Sequence, residues 1–358
     1  MRQLFYNLFL SFILSLMSTL TLAHPFISVD VATGRILEHN QAFERWYPAS
    51  LTKLMTAYVI FRAMSTGEIS PNKHVVISEY AAKAPAYRSG YKAGSILTLD
   101  TALTITMVKS TNDLAIAMSE AVAGSQEAFV QQMNAEAQRL GMFGTHFANA
   151  SGLFNPHNYS TARDIALLAV QIRREFPQYA HYFSIPAIDF GDKRKIQPNS
   201  NNLIGRFDGI DGMKTGFICA SGFNLVASAT RNQRTIIAVV LGSHNISARE
   251  KKAAQLLDTG FSHQGSLQLT LATLEPYGTK MAQATDMRIH TCTPEATKIN
   301  VDSYDNKGNI ILTSPLITDS PSSILPLPVR LISAPQTHKI KAKPLPRPKP
   351  VPPPLPRR

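Results

Sequence analysis

The apolar positions change their period several times along the chain, and each change marks an element. Phe26-Ile27-Ser28-Val29-Asp30-Val31 reads as a strand, Ala32-Thr33-Gly34-Arg35 as a turn, and Ile36-Leu37-Glu38 as a returning strand. From Pro48-Ala49-Ser50 onward, Leu51, Leu54, Met55 and Tyr58 fall at helical spacing, which predicts a helix with those residues on its buried face. Further helices are predicted over 98–109, 113–122 and 126–140, the last stopped by Gly141. Another is predicted over 161–173, with Ile165, Leu168 and Ala169 as its stripe. Residues 206–212 read as a loop into a strand at 213–218. Segments 224–230 and 235–241 read as a hairpin around Arg231-Asn232-Gln233-Arg234, and 247–257 as a closing helix. Strands, then helices, then strands again imply an α+β fold with an antiparallel sheet. In that sheet the first hairpin has to pair with the last strands across the helical middle.

Beyond Ser262 the pattern weakens. Alternation in 267–271 and 299–311, with Asn306-Lys307-Gly308-Asn309 as a turn, predicts a small β-rich or irregular segment over 263–332. From 333 to 358 the chain is rich in Pro, Lys and Arg. Such a stretch buries too little apolar area to offset its ordering entropy, which predicts a disordered tail of polyproline II character. At the other end, Met1-Arg2, an apolar run from Leu4 to Leu22 and the small-residue site at Ala23 read as an export signal over 1–23. The competing reading is a retained membrane anchor, because the run approaches the roughly 20 residues a spanning helix needs. The main domain is therefore placed at 24–262, in an exported, periplasmic protein.

Composition changes this picture in few places. The 358 residues carry 36 Lys and Arg against 24 Asp and Glu, a net charge of +12. Much of the excess is Lys339, Lys341, Lys343, Arg347, Lys349, Arg357 and Arg358, with no acid after Asp319. The tail thus offers a peripheral contact with an anionic membrane surface or with a protein that reads polyproline. No basic-aromatic pattern of the kind that stacks on bases is present, which argues against nucleic acid. Cys219 and Cys292 read as two free, distant thiols in preference to a bridge, since sequence supplies no Cα separation. His146, His157 and His244 lack metal-ligand spacing and read as surface or packing residues, so no metal or cofactor is expected. Trp46 and Tyr47 read as packing. The absence of Gly-x-Ser-x-Gly argues against the α/β-hydrolase route.

Three short motifs carry candidate chemistry. In Ser50-Leu51-Thr52-Lys53, positions i and i+3 share a helix face, so the Lys53 amine can sit beside the Ser50 hydroxyl. A serine needs such an adjacent base to become a nucleophile, and a lysine serves only when burial and nearby cations lower its pKa. Ser110-Thr111-Asn112 lies between two predicted helices. There Ser110 is placed to relay a proton and Asn112 to bond a substrate amide. Lys214-Thr215-Gly216 follows the glycine-rich Asp208-Gly209-Ile210-Asp211-Gly212. A cation and a hydroxyl there can hold a carboxylate, and the glycine lets a substrate backbone approach. Each motif alone reads equally as a helix cap or a solvated residue. Their order, spacing and contexts together are specific.

Ser-x-x-Lys, Ser-x-Asn and Lys-Thr-Gly in this order form the signature of penicillin-binding proteins and class A β-lactamases. The stretch from Tyr47 to Thr56 resembles the D-alanyl-D-alanine carboxypeptidases, the low-molecular-mass penicillin-binding proteins. So do Asn149-Ala150-Ser151-Gly152-Leu153, the stretch from Tyr159 to Asp164, and Asp211-Gly212-Met213-Lys214-Thr215-Gly216. The resemblance runs from about Phe26 to Phe261 and implies a β-lactamase/transpeptidase-like fold. It implies Ser50 as nucleophile, Lys53 as base, and backbone N–H groups of Ser50 and Phe217 as oxyanion hole. Asn112, Lys214, Thr215 and Gly216 would bind substrate, and Arg249 would either join them or be a solvated helix residue. The implied partners are peptidoglycan stem peptides, with β-lactams as inhibitors. An endopeptidase of the same chemistry and a non-catalytic wall-binding protein remain open. A class A β-lactamase is disfavoured, because no Glu-x-x-Leu-Asn run lies between Asn112 and Lys214.

Overall fold

The computed structural model describes residues 24–191, 194–263, 269–278, 281–319, 321 and 325–334. Residues 1–23, read above as an export signal, and the tail from 335 onward lie outside the described residues.

One antiparallel sheet organises the chain. Strands β1 (Phe26–Asp30) and β2 (Ile36–Asn40) form the first hairpin; β3 (Ile210–Ile218), β4 (Gly222–Arg231) and β5 (Arg234–Ser243) form the last meander. The spatial order is β2-β1-β5-β4-β3, with Phe26 opposite Val240 and Asp30 opposite Ile236. The first hairpin therefore does pair with the last strands across the helical middle, and β3 is left as an edge.

The run Ile236-Ile237-Ala238-Val239-Val240-Leu241 is apolar throughout because both faces of the sheet are covered. Ile237, Val239 and Leu241 join the larger core under the helical middle. Ile236, Ala238 and Val240 join a smaller core beneath the closing helix, with Leu256 and Leu257. The helical middle comprises α1 (Thr52–Ser65), α2 (Leu99–Lys109), α3 (Asn112–Ala123), α4 (Gln126–Leu140) and α5 (Ala162–Glu175); α6 (Ile246–Ser262) closes the domain. Helix α1 is buried around its circumference from Thr52 to Phe61, not only on the face of Leu54, Met55 and Tyr58. A helix enclosed on all sides is the rigid centre of the domain, and Lys53 sits in its first turn.

The segment after α6 is irregular, one of the two forms the sequence reading allowed, and its turn at 306–309 closes an isolated Tyr304–Ile310 bridge. Instead of short strands it contains two short helices, Arg288–Thr291 and Pro294–Ile299, and a two-residue strand at Leu327–Pro328. It has no core of its own among the described residues. Leu271, Met287 and Val329 belong to the larger core; Ile310, Leu312 and Ile317 belong to the smaller one. The segment wraps the main domain, pairing Leu327 with Ile188 and donating from Ile332 N to Ile96 O.

This wrapping corrects the reading of the cysteines. Met287 N donates to Ala220 O at 3.0 Å and Thr291 Oγ1 to Cys219 O at 2.6 Å. With Cα atoms 5.6 Å apart, Cys219 and Cys292 form a disulfide. Their separation of 73 residues in sequence is closed by the returning segment. Trp46 is buried and donates from Nε1 to Ser221 O, so it packs as expected. His146, His157 and His244 are at the surface, also as expected.

Candidate active site

A 3-10 turn, Ala49–Leu51, brings the chain into α1 and carries Ser50. Ala49 sits at φ +49°, a region that L residues rarely occupy. The turn is held from outside by Gly152 at φ +82°, where a Cβ would lie 1.8 Å from the Ala49 carbonyl oxygen. Asn149 Oδ1 fixes that glycine by accepting from Gly152 N at 2.7 Å. On the opposite side passes β3: a Cβ on Gly216 would lie 3.0 Å from Pro48 O and 3.1 Å from Ser50 N. Two glycines thus press the Ser50 turn between two backbones. The sequence reading gave Gly216 to substrate approach; here it also permits the close contact with Ser50.

Lys53 is fully buried, and its Nζ lies 3.0 Å from Ser50 Oγ. It donates to Asn112 Oδ1 at 2.8 Å and to Ser151 O at 2.5 Å. Burial first, and the charge of Lys214 second, hold its pKa well below the usual lysine value, against an opposing pull from Asp113. Lys53 Nζ thus has three oxygen partners; in the neutral form its two N–H groups satisfy the two carbonyl oxygens and its lone pair is left for the serine hydroxyl.

Ser110 caps α2 in the left-handed conformation at φ +60°. Its side chain hydrogen-bonds none of the described residues and faces the cleft. Asn112 has its amide engaged: Oδ1 accepts from Lys53, and Nδ2 donates to Pro85 O at 3.1 Å and Ala86 O at 3.3 Å. In this structure its contact is to Lys53. The loop that meets it is tied down by Asp113, whose carboxylate accepts from Ser89 N and Ser89 Oγ.

Lys214 is also fully buried and donates to Thr215 O at 3.0 Å. Burial and then the neighbouring Arg249 lower its pKa to about 7. Thr215 Oγ1 shares a 2.6 Å hydrogen bond with Ser200 Oγ. Arg249 is buried, which removes the solvated reading left open by the sequence. Its Nη2 donates to Glu250 Oε1 at 2.6 Å, and Glu250 in turn accepts from Asn202 N at 3.2 Å. Phe217 stacks on Phe223, their ring centres 4.3 Å apart.

These residues line one cleft of about 360 Å³. Ser50, Ser110, Thr215, Gly216, Phe217 and Arg249 are all on its walls. Lys53, Asn112 and Lys214 lie behind it as buried supports. The structure adds Tyr87, Lys109, Ser200, Phe223 and Ile246 to the walls, none of which the sequence singled out. The Ser151 carbonyl was equally hidden, being backbone. A larger cavity of about 640 Å³ between Arg163 and the 272–276 stretch has no Ser50-side residue on its walls.

Residues 18–245 match the D-alanyl-D-alanine carboxypeptidase family. Escherichia coli D-alanyl-D-alanine carboxypeptidase DacC is 36% identical over 246 residues, which is 67% of this chain and 61% of that protein. Bacillus subtilis DacF, also a D-alanyl-D-alanine carboxypeptidase, is 33% identical over 238 residues, 66% of this chain and 61% of its own length. The matched region thus spans less than two thirds of these relatives. Among solved structures, the D-alanyl-D-alanine carboxypeptidase DacD of Francisella tularensis superposes with a TM-score of 0.64 and 30% identity, covering 68% of this chain and 72% of that one. Penicillin-binding protein D2 of Listeria monocytogenes in its cefotaxime-bound form gives 0.60 and 28%, covering 67% and 97%.

Proposed function

This chain belongs to the D-alanyl-D-alanine carboxypeptidase family, and from that premise we propose that it removes the terminal D-alanine from peptidoglycan stem peptides through an acyl-enzyme on Ser50. The observation that carries the reading is the buried Lys53 amine, 3.0 Å from Ser50 Oγ and pushed toward its neutral form.

Ser50 Oγ attacks the carbonyl of the penultimate D-alanine while Lys53 takes the hydroxyl proton. The oxyanion forms beside the backbone N–H groups of Ser50 and Phe217. Collapse expels the terminal D-alanine, whose amine receives a proton by way of Ser110; water then hydrolyses the ester. The leaving residue's carboxylate rests among Lys214, Thr215 and Arg249. A β-lactam, whose carboxylate sits at the same place, acylates Ser50 by the same attack. Export through residues 1–23 would deliver the enzyme to its substrate, and the basic tail would add a peripheral contact. Deleting residues 335–358 and following the protein's fractionation tests the tail.

Intact-protein mass after incubation with benzylpenicillin tests the core of the proposal. Wild type gains one penicilloyl group and Ser50→Ala gains none. Absence of the adduct from folded wild type, with no hydrolysed penicillin in the tube, overturns it. Release of D-alanine from a stem pentapeptide, set against cleavage of a crosslinked dimer, separates carboxypeptidase from endopeptidase.

A further inference from the structure

Helix α6 brings Ile246 and Arg249 into the cleft from its first turn. The start of a helix leaves backbone N–H groups without intrahelical acceptors, and these favour a negative charge. Asn245 satisfies one by accepting from Ala248 N at 2.7 Å. Two more are taken by a carboxylate from outside the catalytic domain: Asp302 Oδ2 accepts from Ile246 N at 3.0 Å, and Oδ1 from Ser247 N at 2.8 Å.

Asp302 is itself held in place. The Cys219–Cys292 disulfide fixes one end of its segment to the turn that follows β3. Asn300 Nδ2 donates to His290 O at 2.8 Å, and Ile311 N to Ser303 O at 2.8 Å. The same covalent and hydrogen-bonded strap therefore touches both elements that flank the carboxylate side of the cleft: β3, with Thr215 and Phe217, and α6, with Arg249.

We infer that Asp302 is a positioning residue of this enzyme: its carboxylate seats the first turn of α6 so that Arg249 meets the substrate's terminal carboxylate. The inference rests on the carboxypeptidase reading. It gives the segment after α6 a part in substrate recognition, although that segment lies beyond the family match, which ends at residue 245.

The test uses the full chain and two peptides differing only at the C-terminus, one ending in D-Ala-D-Ala with a free carboxylate, the other in its amide. Wild type prefers the acid; equal turnover of acid and amide would sink the carboxylate-binding reading itself, whatever Asp302 does. Asp302→Ala raises KM for the acid by roughly tenfold with kcat little changed, as expected for lost ground-state positioning, and leaves the amide unaffected. Asp302→Asn, which keeps one acceptor oxygen, falls between the two and serves in its place if the alanine variant does not fold. In an Arg249→Ala background the Asp302 substitution adds nothing further, because both act on one contact. Equal losses on acid and amide, or no loss on either, or full additivity with Arg249→Ala, overturns the inference.

Discussion

Replacing Gly152 by alanine tests how the Ser50 turn is held. At φ +82° an L side chain costs roughly 1–2 kcal/mol on backbone grounds alone. The new Cβ would lie 1.8 Å from Ala49 O and 2.4 Å from Ala49 C, and both are backbone atoms with no side-chain torsion to relieve the clash. Separation to ordinary contact needs a shift of more than about 1 Å, and the atoms that must shift carry Ser50. A misplacement of about 1 Å in a reacting group costs on the order of a hundredfold in rate. The second-order rate of acylation by benzylpenicillin is therefore expected to fall about a hundredfold in Gly152→Ala. Gly216→Ala supplies the internal scale. Its Cβ would meet Pro48 O at 3.0 Å and Ser50 N at 3.1 Å, so the turn has to give by only a few tenths of an ångström. Its loss should be clearly the smaller, with little change in melting temperature. Stopped-flow acylation paired with thermal melts reads both. Near-wild-type acylation by Gly152→Ala, or a larger loss in Gly216→Ala, would refute the argument that these two glycines fix the Ser50 turn.

Other outcomes follow from the same contacts. The rate for carboxylate-bearing substrates should be bell-shaped in pH: it climbs as Lys53 loses its proton and becomes a base, and falls as Lys214 loses its charge around pH 7. Lys214→Gln removes the cation that helps keep Lys53 neutral, so the ascending limb moves to higher pH and the descending limb disappears; a pH series of penicillin acylation rates checks both. Glu250→Ala leaves the buried Arg249 without its partner and frees Asn202. It should cost about 3 kcal/mol in urea unfolding and raise KM for the free-acid peptide far more than for the amide. Cys292→Ser opens a loop of 73 residues, for an expected loss of about 4 kcal/mol, seen as a lowered melting temperature that reducing agent reproduces in wild type but not in the variant.

The catalytic fold was legible because its signals are local. The hairpin at 26–38, the helix at 126–140 and the final meander all show in apolar period and turn residues, and the order of strands and helices leaves few ways to close one sheet. The segment after α6 was not legible, for the converse reason. The alternation in 299–311 yields no more than an isolated Tyr304–Ile310 bridge, because its apolar residues enter the core of the main domain. Leu312 and Ile317 share the smaller core with Leu203 and Phe207, and Met287 joins the larger core and bonds through its N to Ala220 O in the turn between β3 and β4. In a strap that borrows the core of another unit, the pattern in its own sequence does not tell what it packs against. The disulfide was lost with it, since a pairing across 73 residues is visible only once the strap is wrapped.

The site divides along the same line. Ser50 and Lys53 are one helical turn apart, so spacing alone placed amine beside hydroxyl. Asn112 and Lys214 were found as members of motifs, but what they touch was not in the motifs. Asn112 spends its amide on Lys53 and on two loop carbonyls, and Lys214 acts on Lys53 through charge in a buried space, not by a hydrogen bond. Ser151 was read only as part of the resemblance in 149–153 and given no role, because the part that matters is its carbonyl, which any residue supplies. In the proposed mechanism that carbonyl has a part. With only the Asn112 oxygen as acceptor, the amine would keep a hydrogen turned toward Ser50 and oppose the transfer it has to accept. With Ser151 O taking the second hydrogen, the lone pair is the group left to face the serine. The base is made as much by where the 149–153 turn puts one backbone oxygen as by the lysine itself.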